Sequence, residues 1–422
     1  MEWVCPCGSV SSSSSDRIVV VKSWVEVSEQ RLAANYRLLA KMAGEGTSVL
    51  AVVKANAYGH GATVCAPVLA RAGAEWLGVT DVTEGAVVRA ALAAAGLQPS
   101  ILVMSGLLDE DAEAIVQHGL TPIVWNRQQM KWLAEAVGRS GSDVPLAVHL
   151  EIDTGMARQG VALGDELREV LHWLSEQRRL RLDGVMTHFA SAEVAGSAQT
   201  LDQQERFEEA TRAVAEAGLR PAWVHAGNSS TIDNNADPEA SSLVWLRKLA
   251  AASGARPMVR PGLGLYGYCL PLESANGSGG AAQPQVRLGL LPVMTWKSRV
   301  TGLRNVRAGD TVGYNAIYVA QRAMRLALVP VGYADGLRRE LSGANALAGG
   351  WMMVRGQRAA IIGRVSMNLT VVDVTRIADV VVGDEVVVLG DGITAEDHAR
   401  LARTIAYEIV CGVRAESQLA GE

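Results

Sequence analysis

Residues 48–61 read SVLAVVKANAYGHG, an apolar run that stops at Lys54. Lysine is rarely left in a core unless it is paired or reactive. A lysine held at the end of a buried strand, partly stripped of water, has a lowered pKa and can form a Schiff base with a carbonyl compound. Other chemistry-bearing groups follow short apolar runs in the same way. They are Arg158 in Asp153-Thr-Gly-Met-Ala-Arg, His188 after Thr187, Asn228-Ser229-Ser230 after His225, and Arg260 before Pro261-Gly262-Leu263-Gly264. The Asn-Ser-Ser and Gly-Leu-Gly segments offer hydroxyls and backbone N–H groups to a phosphate. A carbonyl-binding lysine with a phosphate cradle fits pyridoxal 5′-phosphate. It fits a lysine-dependent aldolase acting on a sugar phosphate almost as well, and spacing alone leaves both open.

The elements that must position these groups are legible as periodic runs. Eight strand-like stretches, 48–54, 75–80, 100–105, 120–125, 146–153, 182–188, 222–228 and 258–262, alternate with helical patterns such as TLDQQERFEEATRAVAEAG. Near-continuous Val/Ile/Leu/Ala runs are the mark of parallel strands covered on both faces. Eight of them in a stretch close to the usual length of about 250 residues predict a (β/α)8 barrel, whose active site lies at the C-terminal strand ends. The loops after strands seven and eight are the usual barrel phosphate site. A doubly wound sheet is the alternative, but no G-x-G-x-x-G follows the first strand; Gly262-Leu-Gly264-Leu-Tyr-Gly267 comes after the last. Taken singly, His188 reads as a rim histidine, Arg158 as a surface ion pair, Arg260 as a paired arginine and Asn228-Ser229 as a turn. Their coincidence at the strand ends of one barrel raises them together.

Around these elements the chain divides by texture. Residues 1–23, with a serine run at 11–15, are expected to be a flexible segment with a possible strand. The barrel is expected over 24–268, opening with a helix capped by Ser28 and burying Leu32, Tyr36 and Leu39. Residues 269–286, including ESANGSGGAAQP, are expected to be a linker or long loop. β-branched runs punctuated by Gly and Asp-Gly predict a mostly-β domain over 287–415, followed by a tail, 416–422.

Composition narrows the class. The 422 residues are 49% hydrophobic with a formal net charge of −5 and a pI near 5.9. That balance argues against nucleic acid or an anionic membrane as partner. Five scattered cysteines make no disulfide framework. Cys5-Pro-Cys7 is too few ligands for a structural zinc, so no metal is expected. No apolar stretch is long enough to span a bilayer. The first residues lack a basic start and an apolar core, so a cytoplasmic protein is the expectation.

Taken together, AVVKANAYGHGA, DTGMARQGV, THFA, HAGNSS, VRPGLGLYG, TVGYNA, VGYADG and GRVSMN resemble the alanine racemases, pyridoxal-phosphate enzymes of fold type III, from about Trp24 to Cys411. The resemblance implies that Lys54 carries the cofactor and that Tyr58, Asn228, Ser229, Gly262 and Leu263 lie at its phosphate. It places Arg158 at the phenolic oxygen, where it also touches substrate, and Arg260 at the pyridine nitrogen with His188 beside it. It brings Tyr314 from a second subunit of a homodimer, Met367 to the substrate carboxylate through its backbone, and Tyr333 to the entrance. Inverting a carbon centre needs proton exchange on two faces, hence two opposed bases, here Lys54 and Tyr314. An arginine at the pyridine nitrogen has no proton to spare, which makes a poorer electron sink than a carboxylate partner would.

The sequence also departs from the family pattern. Glu151 stands where many relatives carry a lysine thought to be carbamylated; a carboxylate beside Arg158 supplies the same negative charge. Asn368 follows Met367 where many have aspartate. The chain closes on AESQLAGE without an Arg-Pro-aromatic run, and a phosphate or gate tyrosine found in some members has no clear counterpart near Arg414-Ala415. The expected activity is interconversion of L- and D-alanine, supplying D-alanine for peptidoglycan. A broad-specificity racemase of serine or longer side chains is the near alternative. A decarboxylase of the same fold type is disfavoured by Arg260 and by GYNA in place of a cysteine motif. A pyridoxal-phosphate carrier would be a lone barrel without Tyr314.

Overall fold

A computed structural model describes residues 22–235, 241–275 and 284–421. The eight apolar runs form eight parallel strands: Ser48–Val52, Trp76–Val79, Ser100–Val103, Thr121–Val124, Leu146–Asp153, Leu180–Met186, Trp223–His225 and Arg256–Val259. Each pairs with the next, and the eighth returns to the first with Met258 beside Ser48, so the sheet closes into a barrel. Side chains fill its inside and helices cover its outside, and Trp76–Val79 is accordingly buried at every position. The helices start where the chain offers a cap. Ser28 accepts the N–H of Arg31 ahead of Glu29–Ala43, and Asp81, Asn126 and Ser197 act likewise for Val82–Ala94, Arg127–Ser140 and Ala198–Glu216. Leu32, Tyr36 and Leu39 point into the core.

A second, nine-stranded sheet holds Gly302–Val306, Met324–Val329, Thr370–Asp373, Gln357–Ile361, Trp351–Val354, Glu385–Leu389, Met294–Arg299, Ser23–Val27 and Glu416–Leu419, in that order. Its strands alternate as a half-buried sheet should; Met294, Trp296 and Ser298 face inward.

Three expectations need correcting. Ser23–Val27 belongs to this sheet and not to the barrel, pairing with Met294–Arg299 on one side and Glu416–Leu419 on the other. The same contact makes 416–419 an ordered edge strand instead of a tail. SWVEV has the alternation of a strand, but nothing local says which sheet it joins. The expected linker is pinned at both ends: Glu273–Ser274 pairs with Val194–Ala195, and the Asp233 carboxylate accepts the N–H groups of Val286 and Arg287. Its residues 276–283 lie outside the described residues, as do the serine run, Cys5 and Cys7.

Asn35 ties the two halves together. It is 1% exposed. Its amide donates to the carbonyls of Leu265 and Leu291, and its oxygen accepts the N–H of Leu291. The loop after the eighth strand and the entry to the β domain are thereby fixed to one helix. Asn35→Ala leaves three backbone groups without a partner and should cost about 2–4 kcal/mol, read as a lower urea midpoint. A loss below about 1 kcal/mol would mean the backbone groups find other partners.

Candidate active site

Lys54 does not end the first strand. The strand stops at Val52, and Lys54 opens a turn over Lys54–Tyr58 whose hand is left. Ala55, Asn56, Ala57 and Tyr58 have φ of 52, 53, 55 and 53°. For residues with a Cβ this conformation costs about 1–2 kcal/mol each. The surroundings hold it in place. His60 Nδ1 donates toward the carbonyls of Ala57 and Tyr58 at 3.0 and 2.9 Å. The Asn56 side chain accepts the N–H of Ala62, and Glu84 accepts those of Asn56 and Thr80. Gly59 follows at φ 79°, and a Cβ there would stand 2.1 Å from the Val410 carbonyl oxygen, so the β domain packs directly onto the turn. The result is that Lys54 and Tyr58 line one cavity of about 290 Å³ at the C-terminal mouth of the barrel.

Around that cavity the polar groups come from many strand ends. Arg158 follows a loop in which the Asp153 carboxylate accepts the N–H groups of Gly155, Met156 and Ala157. Arg260, 5% exposed, donates to the Thr187 carbonyl at 2.7 Å and lies 3.2 Å from His225 Nδ1 and 3.4 Å from His188 Nδ1. Burial pulls its pKa down to about 10, against the attraction of Glu151, so it remains a cation at neutral pH. Burial and the same cation push His188 down to about 3, which leaves it neutral. Glu151 is buried, its carboxylate accepting the Gln159 amide. Burial raises its pKa while Gln159, Arg260 and Arg158 resist. Burial, with the Arg158 charge second, holds the Lys54 ammonium below the ordinary lysine range.

At the far wall the donors crowd on small residues. Asn228 caps the short helix Ser229–Asp233 through its side chain. The Ser229 hydroxyl accepts the N–H of Gly262 at 3.1 Å and of Gly264 at 3.0 Å. A Cβ on Gly262 would stand 2.1 Å from the Tyr58 hydroxyl, so only glycine lets the tyrosine in. Tyr58, Ser229 and the backbone at Gly262 thus line one wall, joined there from the β domain by Tyr407, whose ring lies 5.9 Å from that of Tyr58. This set suits a dianionic group. Leu263 is buried behind it and does not line the cavity.

Of the residues singled out from sequence, the structure gathers Lys54, Tyr58, Arg158, His188, Asn228, Ser229, Arg260 and Gly262 into this cavity, with Glu151 among them. It does not bring Tyr314, Tyr333 or Met367 there. These are 66, 44 and 56% exposed on the β domain. The turns bearing Tyr333 and Met367 are bonded through Tyr333 N–H to Ser366 O and Ala334 N–H to Met367 O. Residues missed from sequence are Met104, Ser105, Gln159, Met186 and Tyr407. Tyr407 comes from the helix Ala406–Gly412, where its only sequence signal is a helical pattern. Among the described residues no cluster could hold a metal, and no helix is long and apolar enough to cross a membrane.

A closed barrel whose mouth holds a lysine, two arginines and an anion cradle, joined to a β domain, defines a barrel enzyme suited to a phosphorylated carbonyl compound. Family profiles refine that. The alanine racemase N-terminal domain matches residues 27–270 and the C-terminal domain 293–419. The alanine racemase of Symbiobacterium thermophilum is 36% identical over 403 residues, 93% of this chain and 94% of that protein. The solved alanine racemase of Streptomyces coelicolor superposes with a TM-score of 0.79 at 31% identity, covering 96% of this chain and 99% of that one. A Bartonella henselae alanine racemase, solved with covalently bound pyridoxal phosphate, shares the fold at 24% identity and a TM-score of 0.74, over 94% of this chain and 99% of that one. The chain belongs to the alanine racemase family.

The charge arrangement around Lys54 can be read by amine reactivity. In protein freed of bound carbonyl compounds, an acylating reagent should modify Lys54 at lower pH than exposed Lys41. Arg158→Ala removes a cation that depresses the lysine, so the midpoint of its reactivity should move to higher pH. An unchanged midpoint, or one moved down, contradicts the assignment.

Proposed function

We propose that this protein interconverts L-alanine and D-alanine with pyridoxal 5′-phosphate held on Lys54, in an obligate homodimer of the cytoplasm, and that its D-alanine goes to peptidoglycan. The observation that carries the reading is the depressed lysine amine in one cavity with an anion cradle and a buried arginine that, among the described residues, has no carboxylate in hydrogen-bond contact. The residues fit the cofactor. Tyr58, Asn228, Ser229, Gly262 and, behind it, Leu263 would form the phosphate end. Arg158 would meet the phenolic oxygen and the substrate carboxylate. Arg260 would face the pyridine nitrogen with His188 alongside. When bound, the cofactor acidifies the Cα–H of the amino acid.

The chain's own groups then divide the proton work. Lys54 Nζ, kept partly dry and biased toward the neutral amine, removes or returns a proton on one face. Tyr314 Oη of a second copy serves the opposite face, which accounts for a tyrosine left exposed on a single chain. A phenol's ordinary pKa is near 10, so it needs a cation or base close by, and Arg158 and His188 are at the mouth it would enter. Arg260 donates hydrogen bonds and keeps its protons, so it orients the ring nitrogen without delivering a proton to it. The Met367 backbone places the substrate carboxylate and Tyr333 lines the entrance.

Borohydride should fix the cofactor on Lys54, found by peptide mapping; a label elsewhere sinks the site. Tyr314→Phe should lose solvent-deuterium incorporation from one enantiomer far more than from the other, and small equal losses would remove Tyr314 from the chemistry. Mixing inactive Lys54→Ala and Tyr314→Ala chains under subunit exchange should recover part of the activity. A panel of amino acids scored for enantiomer formation decides the side-chain range. Serine or longer side chains converted as well as alanine would replace the alanine reading with broad specificity.

A further inference from the structure

A line of polar side chains runs down the inside of the barrel, where apolar packing is the rule. Arg260 lies 3.2 Å from His225 Nδ1. His225 Nε2 lies 2.9 Å from His149 Nδ1. His149 Nε2 faces Asp183 Oδ2 at 3.9 Å and, among the described residues, has no closer partner. The other Asp183 oxygen is held by the exposed Arg181. Both histidines are wholly buried. Room is made for them: a Cβ on Gly184, on the neighbouring strand, would stand 2.6 Å from His149 Nδ1. The rings of Trp76 and His149 are 5.2 Å apart, and Trp76 meets Trp223 edge-on.

The two ends of the line determine its protons. A guanidinium only donates, and a carboxylate only accepts. Burial keeps both imidazoles neutral, His225 also being pressed by the Arg260 charge. Asp183 stays ionised although burial opposes it, because His149 and Arg181 favour the charge. A neutral imidazole has one donor and one acceptor nitrogen. His225 must therefore accept at Nδ1 from Arg260 and carry its hydrogen on Nε2. That forces His149 to accept at Nδ1 and to aim its Nε2–H at Asp183.

We propose that Asp183 and His149 are positioning residues for the active site: together they lock His225 in the tautomer that accepts from Arg260, and so hold the guanidinium that faces the cofactor ring. The relevance to catalysis rests on the racemase reading; the tautomer order does not. Asn at position 183 reverses the order. A guanidinium cannot accept, so the Asn amide oxygen faces Arg181 and the NH2 turns to His149. His149 then accepts at Nε2 and donates from Nδ1, His225 accepts at Nε2, and its Nδ1–H points at the Arg260 N–H. Two donors face each other and the arginine is released.

The test is side-chain 15N NMR of the histidines in the full-length protein as purified, assigned with His149→Gln and His225→Gln among the seven histidines. Wild type should show Nε2–H neutral tautomers at both positions. Asp183→Asn should convert both to Nδ1–H, lower kcat about tenfold, as for loss of one hydrogen bond to a charged group, leave KM nearly unchanged, and alter the absorbance spectrum of the bound cofactor. Asp183→Glu should restore the wild-type tautomers. An Nδ1–H tautomer or an imidazolium at either position in wild type overturns the proposal without need of a variant. Unconverted tautomers in folded Asp183→Asn overturn it as well. Converted tautomers with unchanged kcat and spectrum would leave the order standing and refute its role at the site.

Discussion

One buried positive charge organises this molecule. Arg260 sits at the end of the eighth strand with its guanidinium inside the mouth, bonded to a backbone carbonyl and two imidazoles and, among the described residues, to no carboxylate. A cation in such a place is tolerable only if every proton it offers is accepted. His188 and His225 must therefore stay neutral, and burial together with the arginine's own field ensures that they do. Among the described residues the one acid lining the cavity is Glu151, which acts on it through space. At Lys54 burial and then the Arg158 charge favour the unprotonated amine, and the Arg260 field adds to them. Acid–base states at the mouth are thus set jointly, by one desolvated charge and the neutral groups chosen to receive it.

The second constraint is mechanical. Four consecutive residues with side chains adopt the left-handed conformation just beyond Lys54. Such backbone persists only where the surroundings over-determine it. Here His60, Asn56 and Glu84 hold it from the barrel side, and the carbonyl of Val410 closes over Gly59 from the β domain. The β domain therefore shapes the cavity twice, by pressing on the turn and by lending Tyr407. Among the described residues the first strand, Ser23–Val27, and the last, Glu416–Leu419, lie side by side in the second sheet and belong to the domain whose packing supports the lysine.

Much of the site was legible because its residues stand at the ends of strands, and strand ends are where periodicity breaks. Lys54, Arg158, His188, Ser229 and Arg260 all interrupt or follow apolar runs, so counting runs located them. Tyr407 and Gln159 were not legible for the opposite reason. One lies in a helix with no break in pattern and the other in a loop, and neither type of residue is rare in such places. The hand of the turn was hidden as well, since Ala-Asn-Ala-Tyr contains no glycine to announce positive φ. Ser23–Val27 reads with the opening of the barrel because it carries no mark of its partners, Met294–Arg299 and Glu416–Leu419, which lie far along the chain.

The sequence by itself determined the architecture, because eight doubly buried strands alternating with helices can close in one economical way, and an alternating β pattern cannot continue that barrel. It also determined which residue types stand at the mouth and, through the resemblance those motifs carry, the family. Only the tertiary structure decided how those residues see one another. Which histidines are neutral, which way their protons point, and which acid balances Arg260 depend on burial and on distances between strands far apart in the chain. Desolvation acts over a few ångströms in space and leaves no trace in residue spacing, so it becomes readable only once the barrel has closed.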